Sequence, residues 1–196
     1  MTVIWIVLAI VVILVLVGVM SFNGLVRRRN RTKEAWSQID VELKRRHDLI
    51  PNLVNTVRGY AAHESATFEA VTQARAAAIS AGATADPAQM VPAENALSSS
   101  LRTLFAVAEN YPTLRAIESF KALQEQLTAT EDKLEYARRY YNTSARDYNT
   151  AIQTFPRTLI AGPFGFTPVT FFEVADAVER AVPVVDFGPS APHVAG

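Results

Sequence analysis

The chain has 196 residues with 19 Lys+Arg and 19 Asp+Glu, enough for one membrane span and one folded body but short for two globular domains. The balance is segregated: Arg27, Arg28, Arg29, Arg31 and Lys33 all precede the first acidic residue, Glu34, and the remainder carries 14 basic against 19 acidic residues, a formal difference of −5. An acidic body argues against nucleic-acid binding, which needs a basic face, and the absence of cysteine excludes disulfides, thiol catalysis, thiolate zinc sites and a lipid-modified N-terminal cysteine.

From Val3 to Met20 the side chains are apolar apart from Gly18, and Ser21 and Phe22 extend the run without a charge. At about 1.5 Å per residue, some 20 residues cross the roughly 30 Å hydrocarbon core, so residues 1–22 are expected to form a transmembrane anchor. A cleaved signal peptide would show a basic start and a shorter apolar core, and neither is present. No Lys or Arg precedes the span and five follow it closely, which predicts a single-pass protein of the plasma membrane with its body on the cytoplasmic side. The same five residues, Arg27, Arg28, Arg29, Arg31 and Lys33, are the candidates for contact with anionic lipid head groups.

No proline lies between Met1 and Ile50, so the span is expected to run on as a helix whose apolar stripe is Trp36, Ile39, Leu43 and Ile50. Pro51 is expected to end or kink it, with Asn52 capping the next helix. A second stripe, Val54, Val57, Ala61, Phe68, Val71 and Ile79, leads to turn signals at Gly82, Asp86 and Pro87. A third helix reaches Ala108, with Leu97, Leu101, Leu104 and Phe105 as its buried face, and Asn110-Tyr-Pro112 interrupts it.

The clearest pattern comes next. Phe120, Leu127, Leu134, Tyr141, Tyr148 and Phe155 recur every seven residues, and the positions three further on are Leu123, Thr130, Ala137, Ser144 and Ala151. A seam of large residues beside mostly small ones suits close packing of long helices. Pro156 closes this helix. Phe155 to Phe172 holds five phenylalanines, three prolines and two glycines, and is expected to lie irregularly across the helices to cover exposed core. A short helix from Glu173 to Ala181 and a disordered Pro-rich tail complete the expectation.

Two pairs, His47-Asp48 and His63-Glu64, are the places where a metal or acid–base site could be sought. The histidines stand sixteen residues apart across Pro51, so no i, i+4 ligand pair exists, and both are read as surface histidines on charged faces. Gly162-Pro-Phe-Gly-Phe166 follows a helix and contains proline, unlike a nucleotide-binding loop. No catalytic, cofactor-binding or metal-binding residue is assigned, and the chain is read as no enzyme, without cofactor, nucleic acid or small-molecule substrate.

The segments Phe22-Asn-Gly-Leu-Val-Arg-Arg-Arg-Asn30, Glu34-Ala-Trp-Ser-Gln-Ile-Asp40, Leu43-Lys-Arg-Arg-His-Asp-Leu-Ile-Pro-Asn-Leu-Val54 and Val57-Arg-Gly-Tyr-Ala-Ala-His-Glu64 resemble the LemA family. Val71-Thr-Gln-Ala-Arg75, Phe120-Lys-Ala-Leu-Gln124, Ala137-Arg-Arg-Tyr-Tyr-Asn142, Tyr148-Asn149 and Phe155-Pro156 agree in order, so the resemblance covers residues 22–172. It implies a bacterial, membrane-anchored, all-α protein whose span is followed by an antiparallel four-helix bundle, and it carries no enzymatic role. Some members resemble lipoproteins with a cysteine before the first motif; here the chain reads Met20-Ser-Phe-Asn23. The resulting division is an anchor over 1–22, a helical body over 23–172 and a tail over 173–196. The expected role is a scaffold or interaction protein of the cell envelope that meets a protein partner or its own copies, with Arg138, Arg139 and Tyr140 as the candidate partner surface. Membrane organisation through the basic cluster, with the aromatic segment Phe164 to Phe172 touching the interface, is the alternative.

Overall fold

The computed structural model describes residues 1–172, and the described residues form helices without strands. Four are long: α1 (Thr2–Arg58), α2 (Ser65–Gly82), α3 (Pro87–Glu109) and, after the single turn α4 (Pro112–Arg115), α5 (Glu118–Gln153); the short α6 (Thr158–Ala161) follows. The expected helix at Glu173 to Ala181 and the tail lie outside the described residues.

α1 is one helix of 57 residues, roughly 85 Å long. Its first part, through Val17, is exposed throughout, whereas from Ser21 onward one face is buried at Leu25, Thr32, Ala35, Ile39 and Leu43. One helix therefore joins two environments with no linker between them.

The expected break at Pro51 does not occur. Proline removes the N–H that would bond the carbonyl four residues back and so orphans His47 O. That oxygen accepts instead from Arg75 Nε at 2.7 Å, which supplies the missing donor from α2. The helix accordingly runs through Pro51 to Arg58, Asn52 caps nothing, and the break falls at residues 59–64, so the second stripe is divided between α1 and α2. The later boundaries match the turn signals: α2 stops at Gly82, Pro87 opens α3, and Asp86 caps it by accepting from the Ala88 N–H at 3.0 Å.

α1 and α5 pack along most of their shared length in opposite directions: Leu25 clusters with Tyr148 and Ile152, and Ile39 with Leu134 and Tyr141. The seven-residue seam is buried at Phe120, Leu127, Leu134, Tyr141 and Tyr148, while Phe155 lies beyond the helix end and is exposed. The small seam is what brings the backbones close: Thr130, Ala137, Ser144 and Ala151 are buried, and Thr32 Oγ1 of α1 donates to the Ser144 carbonyl at 3.2 Å. α2 and α3 form a hairpin whose Phe68, Val71, Leu97, Leu101 and Leu104 join Ile50, Leu53 and Val57 of α1 in the membrane-distal core.

Candidate functional site

Two polar assemblies tie this body together. The first lies at the core. Met90, Glu94, Leu97, Leu101 and Leu104 form the buried stripe of α3, and Glu94 is the one acid in it, 1% exposed. Its partners come from the equivalent register of α1, where Arg46 and His47 fall between Leu43 and Ile50 and are buried. Arg46 Nη1 donates to Glu94 Oε2 at 3.2 Å, His47 Nε2 lies 2.8 Å from Oε1, and Arg46 Nη2 donates to Ser98 Oγ at 2.8 Å. Both carboxylate oxygens are thus engaged, and Ser98 Oγ itself donates to the Glu94 carbonyl at 2.9 Å, with no base drawing its proton. The arrangement is suited to clamping α3 onto α1: a buried carboxylate with a guanidinium and an imidazole is stable only while every member is present. His47 is consequently a core residue, which corrects its reading as a surface histidine; His63 is exposed as expected.

Outside this clamp, a groove of about 640 Å³ runs between α3 and α5, lined by Arg46, Ser98, Arg102, Phe105, Glu131 and Arg138. Glu131 bridges two guanidinium groups, 3.4 Å from Arg46 Nη2 and 3.6 Å from Arg138 Nη1. Burial holds the Arg138 pKa below its ordinary value, opposed by Glu131 and reinforced by neighbouring Arg46. Among the described residues, no cluster of three or more His, Cys, Asp or Glu side chains could hold a metal ion.

The second assembly is a strap. After α6 the chain turns back and runs extended along α5 to Phe172. Asn149 accepts from the Val169 N–H at 2.9 Å and donates to the Val169 carbonyl at 2.8 Å, and Asn142 does the same for Phe172 at 2.8 and 3.0 Å. Seven helical residues rise about 10.5 Å and three extended residues about 10 Å, so the two spacings match and each amide meets the N–H and C=O of one residue. Between these contacts Tyr141 donates to the Thr170 carbonyl at 2.8 Å, and burial raises its pKa above the ordinary 10.0. The strap buries Phe172 beside Trp36, with ring centroids 5.9 Å apart, and Phe166 beside Phe22 at 5.7 Å. The expected covering of the helices by this aromatic stretch is therefore present at Phe166 and Phe172, with Phe164 left exposed.

The candidate surface residues are distributed unequally. Arg27, Arg31 and Lys33 are exposed on α1, whereas Arg28 and Arg29 are partly covered and Arg29 lies over the Phe166 ring at 5.0 Å. Arg138 is mostly buried, over the Phe172 ring at 5.2 Å, and Tyr140 lies beneath Arg31, whose Nε donates to its hydroxyl at 3.2 Å. Arg139 is exposed and pairs with Glu135 one turn back. The sequence reading passed over Arg46, Arg75 and Glu94. One signal was available: Arg46 and Glu94 occupy core positions of apolar stripes, where a charge requires a partner.

Magnetosome protein MamQ 2 of Paramagnetospirillum magneticum is 25% identical over 186 residues, covering 83% of this chain and 68% of that protein. Magnetosome protein MamQ of Magnetospirillum gryphiswaldense matches with the same identity and coverage. Protein LemA of Metamycoplasma hominis is 26% identical over 158 residues, covering 81% of this chain and 71% of that protein. The pattern that defines the LemA family matches residues 35–187, and with the helical body and the apolar first part of α1 the chain belongs to the LemA family.

Proposed function

We propose that this protein is a non-enzymatic, membrane-anchored scaffold whose antiparallel four-helix body presents its long faces to a protein partner or to other copies of itself. The observation that carries this is α1: a helix with an exposed apolar third and a remainder buried along one face holds the body at a set height and orientation over the bilayer. A hinge between span and body would be the expected design for a tethered domain that searches for partners; a continuous helix suits an assembly with defined geometry. The names of the relatives state no reaction, and the buried clamp offers no free nucleophile or base. In this reading the span crosses the plasma membrane once and the body lies on the cytoplasmic side, as the Arg27 to Lys33 cluster directs.

The test is crosslinking of the full-length chain in its native membrane, followed by purification. A stoichiometric neighbour, or a ladder of this chain, is the expected result. A chain that stays strictly monomeric and recovers no stoichiometric neighbour overturns the proposal. A second reading, membrane organisation through head-group contact, is favoured by the exposure of Arg27, Arg31 and Lys33 within three turns of the span. Its signature is salt-sensitive binding to anionic vesicles.

A further inference from the structure

Large apolar side chains left in water gather near one end of the body. Phe155, Leu159 and Phe164 are 75%, 66% and 62% exposed, and they fall within the ten residues that connect α5 to the strap. Among the described residues, the other exposed large apolar residues beyond the span, Val41, Tyr60, Ile79 and Tyr136, are spread over the rest of the body.

The height of this cluster is fixed by contacts with α1. The Phe22 ring, at the end of the apolar run, meets the Phe164 ring edge-on at 5.2 Å. Three residues further on, Leu25 is fully buried against Ile152 and Ala161, which flank Phe155 and Leu159 in the chain. The Arg157 guanidinium lies against α1 at Gly24, where an added Cβ would stand 3.7 Å from Arg157 Nε. If Phe22 marks the edge of the hydrocarbon, Arg27 lies five residues or about 7.5 Å further out, close to the thickness of one head-group layer. Exposed aromatic and aliphatic side chains therefore stand at the depth where such groups are stable, with guanidinium groups just above them.

We infer that Phe155, Leu159 and Phe164, with Phe22 and Arg157, form a collar that inserts into the interface of the bilayer crossed by α1. The occupant of this exposed surface is the lipid itself, because the surface is continuous with the span and a partner protein would have to displace head groups to reach it. Span and collar together give the body two attachments to one bilayer and restrain its rotation and tilt. The inference rests on the membrane-anchor reading, and its test separates the two.

The chain has no cysteine, so single labels can be placed without removing native thiols. Full-length variants Phe155→Cys, Leu159→Cys and Phe164→Cys, with Leu14→Cys in the span and Tyr136→Cys on the body, would carry an environment-sensitive fluorophore in nanodiscs of phosphatidylcholine and phosphatidylglycerol. Quenching by aqueous iodide and by nitroxide-bearing lipid is compared. The collar labels are expected to be shielded from iodide by about fivefold relative to Tyr136→Cys and quenched by the lipid probe. Iodide quenching of two or more collar labels to the level of Tyr136→Cys overturns the collar. If Leu14→Cys then remains quenched by lipid, the anchor stands alone; if it too is open to iodide, both readings fall.

Discussion

Both the membrane-proximal and the membrane-distal parts of the body are held by apolar packing, the larger cluster being the distal one, and they differ in the polar contacts added to it. Near the membrane, α1 and α5 meet through small residues at Ala35, Ala137 and Ala145, flanked by Tyr141, Tyr148 and the strap phenylalanines. Further out, α2 contributes only Phe68, Val71 and Ala78 to the buried set, and its hairpin with α3 is clamped to α1 by Glu94 from α3 and Arg75 from α2. Apolar burial tolerates modest change because its energy is spread over many contacts, whereas a buried polar clamp is concentrated in a few atoms and fails when one is removed. The hairpin should therefore be the part that a single substitution can release.

The largest effect should come from Glu94→Ala, which leaves buried His47 without its anion and Arg46 with only the more exposed Glu131. A loss of about 3–5 kcal/mol is expected by denaturant unfolding, with hydrogen exchange rising first in α2 and α3. Uniform exchange across α1 and α5 would remove the contrast between the two parts. Smaller and opposite in location is Asn142→Ala, which strips two hydrogen bonds from Phe172 and should cost about 1–3 kcal/mol. Its exchange signature should lie in residues 166–172, with α2 and α3 unchanged.

The Pro51 compensation is open to a double-mutant cycle. Arg75→Ala orphans the His47 carbonyl and should cost about 1–2 kcal/mol in the native chain but much less beside Pro51→Ala, where the residue 51 N–H returns to that oxygen. Equal costs in both backgrounds would show that Arg75 acts some other way. Next in size is the tyrosine of the strap. The folded-state pKa of Tyr141 is raised, so its contribution is fully present below about pH 10 and is lost as pH rises through the folded value. Tyr141→Phe should remove about 1 kcal/mol at neutral pH and flatten the alkaline fall. Arg139→Ala, at an exposed pair, should change stability by no more than about 0.5 kcal/mol, which frees that position for partner mapping in the crosslinking experiment.

Much of the helical framework was legible because it rests on local rules. The apolar run ending at Phe22, the seven-residue seam from Phe120 to Tyr148 and the Asp86-Pro87 start of α3 are each read from spacing and side-chain chemistry within one segment. The strap was legible as a covering layer from its phenylalanines, but its register was not, since the match of Asn142 and Asn149 to Phe172 and Val169 needs both elements in place. Pro51 shows the same limit at one residue. Locally it is a helix breaker, and only Arg75, 24 positions away in the chain, supplies the donor that keeps α1 continuous.

The sequence by itself determined what depends on neighbours along the chain: a helical protein, an apolar segment long enough to cross a membrane, a long seamed helix and membership of the LemA family. The tertiary structure alone decided which charged groups are buried and paired, where α1 ends, and which aromatic side chains face protein and which face outward at the end of the span. Those outcomes depend on atoms from distant segments meeting within hydrogen-bonding or van der Waals distance, and a periodic pattern in one helix carries no information about what stands opposite it.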